Sequence, residues 1–162
     1  MNGVEANHTI PKDNLRATRI IFTVLTSGVL IFSVIVFFIF RSRPAMPEDE
    51  TQRQVLSGIA ALLAFICLVA AILGHRKGLA KAANLTGSLN DKLNYHRSLL
   101  IRYLALCEGP AIFGAVMYIF SREIWLLAVP AVMLAAMFRV NPGRDRVAAE
   151  LQLDSGEKMQ LE

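Results

Sequence analysis

The segment IIFTVLTSGVLIFSVIVFFIF, from Ile20 to Phe40, contains no charged residue. A helix rises about 1.5 Å per residue and a bilayer's hydrocarbon core is about 30 Å thick, so roughly 20 apolar residues in succession cross it. This stretch therefore predicts a membrane helix. It is longer than the apolar core of a secretory signal peptide, and the Arg41-Ser42-Arg43-Pro44 that follows offers no small-residue cleavage site, so it is read as a retained span.

Three further segments read the same way. Val55 to Leu73 is uncharged, and Leu99 to Phe120 carries only Arg102 near its start and Glu108 near its middle. Ile124 to Phe138 is short but uncharged and contains Trp125, and it spans if Arg122 and Arg139 extend their charged heads to the two interfaces. A hydrophobic content of 54% and a mean hydropathy of +0.46 exceed what an ordinary soluble domain carries. The expected fold is all-α, an integral membrane four-helix bundle. Residues 1–19 form an N-terminal tail, 20–140 the transmembrane domain and 141–162 a C-terminal tail.

Orientation follows from the basic residues, which accumulate on the cytoplasmic side of membrane proteins. Four crossings put both tails and the connection between helices two and three on one side. That side holds 13 of the 17 Lys and Arg residues, leaving Arg41, Arg43, Arg53 and Arg122 opposite, among Glu48, Asp49 and Glu50. Both termini are therefore expected in the cytoplasm. The same clustering accounts for the net charge of +4 without a nucleic-acid partner, since the only aromatic residues interleaved there are Tyr95 and Tyr103. The expected partners are the lipid bilayer and, for assembly, a second copy of the chain or another membrane protein.

Outside the spans, Ala82, Leu85, Leu89, Leu93, His96 and Leu100 recur at intervals of three and four, the stripe of an amphipathic helix. Helix three is thus expected to extend beyond the apolar segment, starting near Gly87 and Ser88 or near Asn90 and Asp91. Asn141-Pro142 reads as an N-cap followed by proline at the first helical position. The helix it opens runs toward Leu153, with Val147, Ala148 and Leu151 on one side. Within helix two, Ser57, Ala60, Ala64, Cys67, Ala71 and Gly74 form a strip of small residues that another helix can approach closely, and Ala128, Ala131 and Ala135 form a shorter one on helix four. Cys67 and Cys107 read as small packing residues with free thiols.

Glu108 is the feature that carries chemistry. It lies about 13 Å along helix three from Leu99, near the bilayer midplane, where an ionisable residue is costly and marks a polar contact, a relay or a pathway. Pro110 cannot donate to the carbonyl of Leu106, and Gly109 adds backbone freedom, so helix three is expected to kink or loosen beside the carboxyl. Thr26 and Ser27 on helix one lie at comparable depth and are its candidate hydrogen-bond partners. Ala105, Ala111 and Ala115 are expected to leave room for such a neighbour. The candidate site is therefore Glu108, Gly109, Pro110, Thr26 and Ser27, acting as a polar packing or assembly element or, alternatively, as a proton- or cation-handling site. No nucleotide loop, metal-spaced histidine cluster or nucleophile elbow occurs, and His8, His75 and His96 read as scattered through tails and loops. Neither an enzymatic activity nor a cofactor or metal is expected.

The stretch Ala105-Leu106-Cys107-Glu108-Gly109-Pro110-Ala111-Ile112-Phe113, together with Arg139 to Leu153, resembles a family of uncharacterised small bacterial four-helix membrane proteins. There an Ala-Leu-x-Glu-Gly motif precedes the last membrane helix and a basic-then-acidic tail. The resemblance implies a bacterial inner-membrane location and a four-helix architecture, and no activity. Helices two and three with Glu108 also look somewhat like the helical hairpin of the rotary ATP synthase proteolipid (c) subunit, which carries an ion-binding carboxyl. This chain departs from that family in its helix two, which lacks the dense glycine repeat, in its long connecting segment and in its two flanking helices.

Overall fold

The computed structural model describes residues 11–42, 50–84 and 88–153, and every regular element among them is helical. The order is α1 (Pro11–Phe40), α2 (Glu50–Ala83), α3 (Leu89–Ser121), a 3-10 turn (Ile124–Leu127), α4 (Ala128–Arg139) and α5 (Arg144–Glu150). Three helices, over Asp13–Phe40, Glu50–Ala82 and Leu89–Ser121, are long and apolar enough to cross a membrane, and Ile124–Arg139 is a shorter apolar helix. Arg43, Glu48, Asp49, Leu85, Gly87 and the segment from Asp154 to Glu162 lie outside the described residues.

Each of the three long helices extends beyond its apolar segment. α1 opens on Pro11, tolerated because the first-turn N–H groups have no partner within a helix. α2 runs on through His75, Arg76 and Lys77 to Ala83, so much of the expected long connection is helical. α3 starts at Leu89 behind the Ser88 N-cap. The Asp91 backbone N–H donates to the Ser88 hydroxyl, and the Asp91 carboxylate accepts from the Ser88 N–H. This selects the first of the two starts read from the sequence. α3 keeps helical geometry through Pro110.

α3 is the centre of the fold and packs against α1, α2 and α4. Half of its most apolar window is buried, against 22% in each of α1 and α2. α1 turns Phe22, Thr26, Val29 and Val36 inward, and α2 turns inward Ser57, Ala60, Ala64, Ala71, His75 and Ala82. The small-residue strip on α2 is thus present, but it continues through His75 and Gly78 while Gly74 is exposed. The α4 strip is corrected. Ala128, Ala131 and Ala135 face outward, whereas Val129, Met133, Leu134 and Met137 fill the core. Pro130, in the first turn of α4, is where the tight 3-10 entry becomes α-helix without loss of a hydrogen bond.

The outer surface of this bundle is apolar. Val24, Phe38, Leu62 and Phe65 each expose more than 60% or so of their area, among many other large hydrophobic residues. A continuous patch of that kind needs an apolar covering. Hydroxyls within the long helices are carried by bonds back to the preceding turn, from Thr18 to the Asn14 carbonyl (2.8 Å), Ser33 to Val29 (2.8 Å) and Ser121 to Met117 (3.0 Å).

α5 folds back onto the bundle. Val147, Ala148, Leu151 and Leu153 pack with Leu15 of α1, Ala82 of α2, and Leu89 and Leu93 of α3. This brings the first turns of α1, the end of α2, the start of α3 and the chain after α4 to one end of the molecule. The helix is capped by Gly143 rather than by the expected Asn141. Pro142 is fully buried and its carbonyl accepts from Arg19 Nε at 3.2 Å, which holds it outside the helix. At the other end Gln152 takes a left-handed conformation (φ 50°), allowing the Leu153 N–H to reach the Ala148 carbonyl at 3.0 Å.

A close approach between α3 and α4 occurs at Gly114, where an added Cβ would lie 2.8 Å from Val129 Cβ. Gly114→Ala is therefore expected to destabilise the fold by about 1–3 kcal/mol, because the β-branched neighbour cannot turn away. Gly58→Ala, whose Cβ meets nothing within 4 Å, should leave stability unchanged or raise it by roughly 0.5 kcal/mol. Thermal unfolding of the detergent-solubilised variants checks both.

Candidate functional site

Glu108 sits at the edge of the buried face of α3. On one side Leu104, Cys107 and Ala111 are fully buried; on the other Ala105, Gly109 and Ile112 are exposed. Glu108 itself is half-buried. Among the described residues its carboxyl has no hydrogen bond or ion pair. The Ser27 hydroxyl donates to the Thr23 carbonyl on its own helix, and Thr26 is buried with its Oγ1 unbonded. Pro110 is buried, while a Cβ on Gly109 would meet open space. Ala111 and Ala115 are both buried in helix contacts, so the open ground beside the carboxyl is made by Ala105 and Gly109.

A second constellation lies where α5 meets the ends of α2, α3 and α4. His75, expected in a loop, is inside α2, and His96, on the expected extension of helix three, is inside α3; both are almost wholly buried. Glu150 bridges two partners. Its Oε2 lies 2.9 Å from His96 Nε2, and its Oε1 accepts from Arg146 Nε at 2.7 Å. An ionised carboxylate only accepts, so Nε2 carries the His96 proton in this contact. Burial pushes the Glu150 carboxyl up, but the bonds from His96 and Arg146 outweigh it and hold the group at about 2.

The His75 ring packs on that of Tyr103, 5.1 Å between centroids, and the Tyr103 hydroxyl donates to the Ala136 carbonyl at 3.2 Å. Neither His75 ring nitrogen has a hydrogen-bond partner among the described residues. In its neutral form the ring offers one N–H donor and one acceptor. His75 and Tyr103 line a cavity of about 480 Å³ with Arg76, Arg139, Arg146 and Glu150. Cys67 and Cys107 are free thiols, and among the described residues no three metal-ligating side chains gather. The signal for this site was present in the sequence as the Gly-His-Arg-Lys run after helix two and the Arg and Glu residues of the tail. Only the return of α5 brings them together.

Neither a family model, nor a curated protein, nor a solved structure matches this chain.

The depressed Glu150 pKa fixes the sign of a pH effect. The group contributes stability above its ordinary value of 4.5, and that contribution is lost as pH falls from there through about 2. Amide protection over Arg144 to Leu153, corrected for intrinsic exchange, should fall across this window. Glu150→Gln should lower protection already at pH 7, by roughly ten- to a hundredfold, since it removes a charged hydrogen-bond acceptor from two donors.

Proposed function

We propose that the chain is a multi-pass membrane protein with four crossings and both termini in the cytoplasm, in a cell membrane that the resemblance above points to as a bacterial inner membrane. In this reading Glu108 is the polar element through which it assembles with a second copy of itself. The observation that carries the assembly role is the half-buried Glu108 carboxyl, unbonded among the described residues and flanked by exposed Ala105 and Gly109. In lipid a helix gains little by hiding apolar surface. Small residues that allow backbones to approach, and polar groups that bond across the contact, are what hold membrane helices together. The Ala105–Gly109 spacing places two such small residues on successive turns around the carboxyl.

Topology has separate support. The helix ends gathered around α5 carry Arg16, Arg19, Arg76, Lys77, Lys81, Arg97, Arg102, Arg139 and Arg146, while the other end carries Arg41, Arg53 and Arg122 among the described residues. Arg53 there faces Glu123 at 3.7 Å, and Glu123 also accepts from the Trp125 indole at 2.7 Å. This asymmetry follows the positive-inside rule. The short apolar helix Ile124–Arg139, with Trp125 near one end and Arg139 at the other, suits the fourth crossing.

In a background with Cys67 and Cys107 replaced by Ala, Ala105→Cys is expected to form an intermolecular disulfide under mild oxidation in lipid nanodiscs. Glu108→Gln, which keeps the hydrogen-bonding shape, should retain that cross-link. Glu108→Leu should weaken association by roughly tenfold, in both cross-linking and native mass spectra. A chain that stays monomeric at every lipid ratio rules out this assembly. Should Glu108→Gln abolish a proton or cation flux measured in liposomes while Glu108→Leu leaves assembly intact, ion handling becomes the role of the carboxyl.

A further inference from the structure

α2 and α4 both pack on α3 and leave a groove between them. Its polar end is the cavity of about 480 Å³ described above, a size that takes a small molecule or a lipid headgroup. Its other end is a second cavity of about 220 Å³ lined only by apolar residues, among them Ala64, Phe65, Trp125, Val132 and Met133. Leu68 lines both, so one apolar wall runs along the outer face of the bundle, from Trp125 to the charged rim. Two of the outward-facing alanines of α4 belong to this groove, Ala128 at the apolar end and Ala135 at the polar one. Small side chains there keep it open.

The charges at the polar end are unequal. Arg76, Arg139 and Arg146 present three guanidinium groups against the single carboxylate of Glu150, whose two oxygens are already taken by His96 and Arg146. Arg146 makes that bond through Nε, so its terminal nitrogens are not part of it. His75 is 8% exposed and lines the same cavity, and its two ring nitrogens are unbonded among the described residues. A buried polar group without a partner costs free energy, and one facing a cationic cavity is satisfied by an anion that accepts its N–H.

We propose that this groove binds one anionic phospholipid, with the phosphate seated among Arg76, Arg139, Arg146 and His75 and an acyl chain lying along the apolar wall between α2 and α4. Guanidinium groups match phosphate oxygens in geometry, and the cavity opens where the apolar segments of α2 and α4 end, at the depth of headgroups. The shared chemistry is a phosphate anion. The apolar continuation of the cavity favours a lipid as its source over free phosphate. The proposal rests on the chain lying in a bilayer and is independent of the role of Glu108.

The test uses the full chain in nanodiscs of equimolar phosphatidylglycerol and phosphatidylcholine, followed by native mass spectrometry of the released protein. Incorporation into the disc reports separately whether the chain inhabits a bilayer. The expected result is one retained phosphatidylglycerol, preferred by roughly tenfold over phosphatidylcholine, with that preference lost in Arg76→Gln/Arg139→Gln. Ala135→Phe keeps every charge but fills the polar end from an exposed position, and it should release the lipid. It carries the test if the double arginine variant does not fold. Equal retention of the two lipids, or an unchanged preference in the folded variants, overturns the proposal. So does a heat-stability gain from inorganic phosphate, abolished by Arg76→Gln/Arg139→Gln, in protein that retains no lipid.

Discussion

The approach of α2 to α3 over a strip of small residues sets the positions of everything else. Ser57, Ala60, Ala64, Ala71, Gly78 and Ala82 keep the two backbones close, close enough that Gly78 lies against Leu99 with no room for a Cβ. α3 can then be shared, with α1 on another side and α4 on a third, and only α3 has its apolar window half buried. Because α2 and α4 are both committed to α3, they do not close on one another. The groove between them is a consequence of this geometry, and the outward alanines of α4 leave it unfilled.

A chain this apolar has little water to satisfy its polar atoms, so each must find a partner within the protein or carry a cost. Most do. Thr18, Ser33 and Ser121 bond to their own helices, His96 and Arg146 to Glu150, and the Pro142 carbonyl to Arg19. Thr26, Ser57, Glu108 and His75 are exceptions among the described residues. Glu108 is a carboxyl at the margin of a buried helix face and His75 an imidazole lining a cationic cavity, and the two proposed readings rest on them.

α5 is only 7 residues long and would not hold together alone. Its stability comes from Leu15, Ala82, Leu89 and Leu93, which cover its apolar side, and from the Glu150 bonds, which tie its last turn to α3 and to its own Arg146. It therefore acts as a lid on the end of the bundle and supplies two of the six polar residues of the cavity, Arg146 and Glu150.

The amino-acid sequence alone determined the helical class, the three long apolar helices and the shorter fourth, the inward strip on α2 and, to within one turn, the start of α3. Each is a local property: an uninterrupted apolar run, a three-and-four spacing or a capping pair is written within one or two turns of chain. It also singled out Glu108, because a carboxyl in an apolar segment is conspicuous without knowledge of its neighbours. Tertiary structure decided which way each face points. The alanines of α4 resemble those of α2 in spacing, yet they face outward, since α4 meets α3 through Val129, Met133 and Met137. His75 read as a loop residue because the apolar run ends at Leu73, and it became buried only when α2 continued past that point and Tyr103 packed on it. Residues 75, 96, 103, 139, 146 and 150 are spread across half the chain with no periodic relation. What unites them is the return of α5 onto the bundle, a contact between segments distant in sequence.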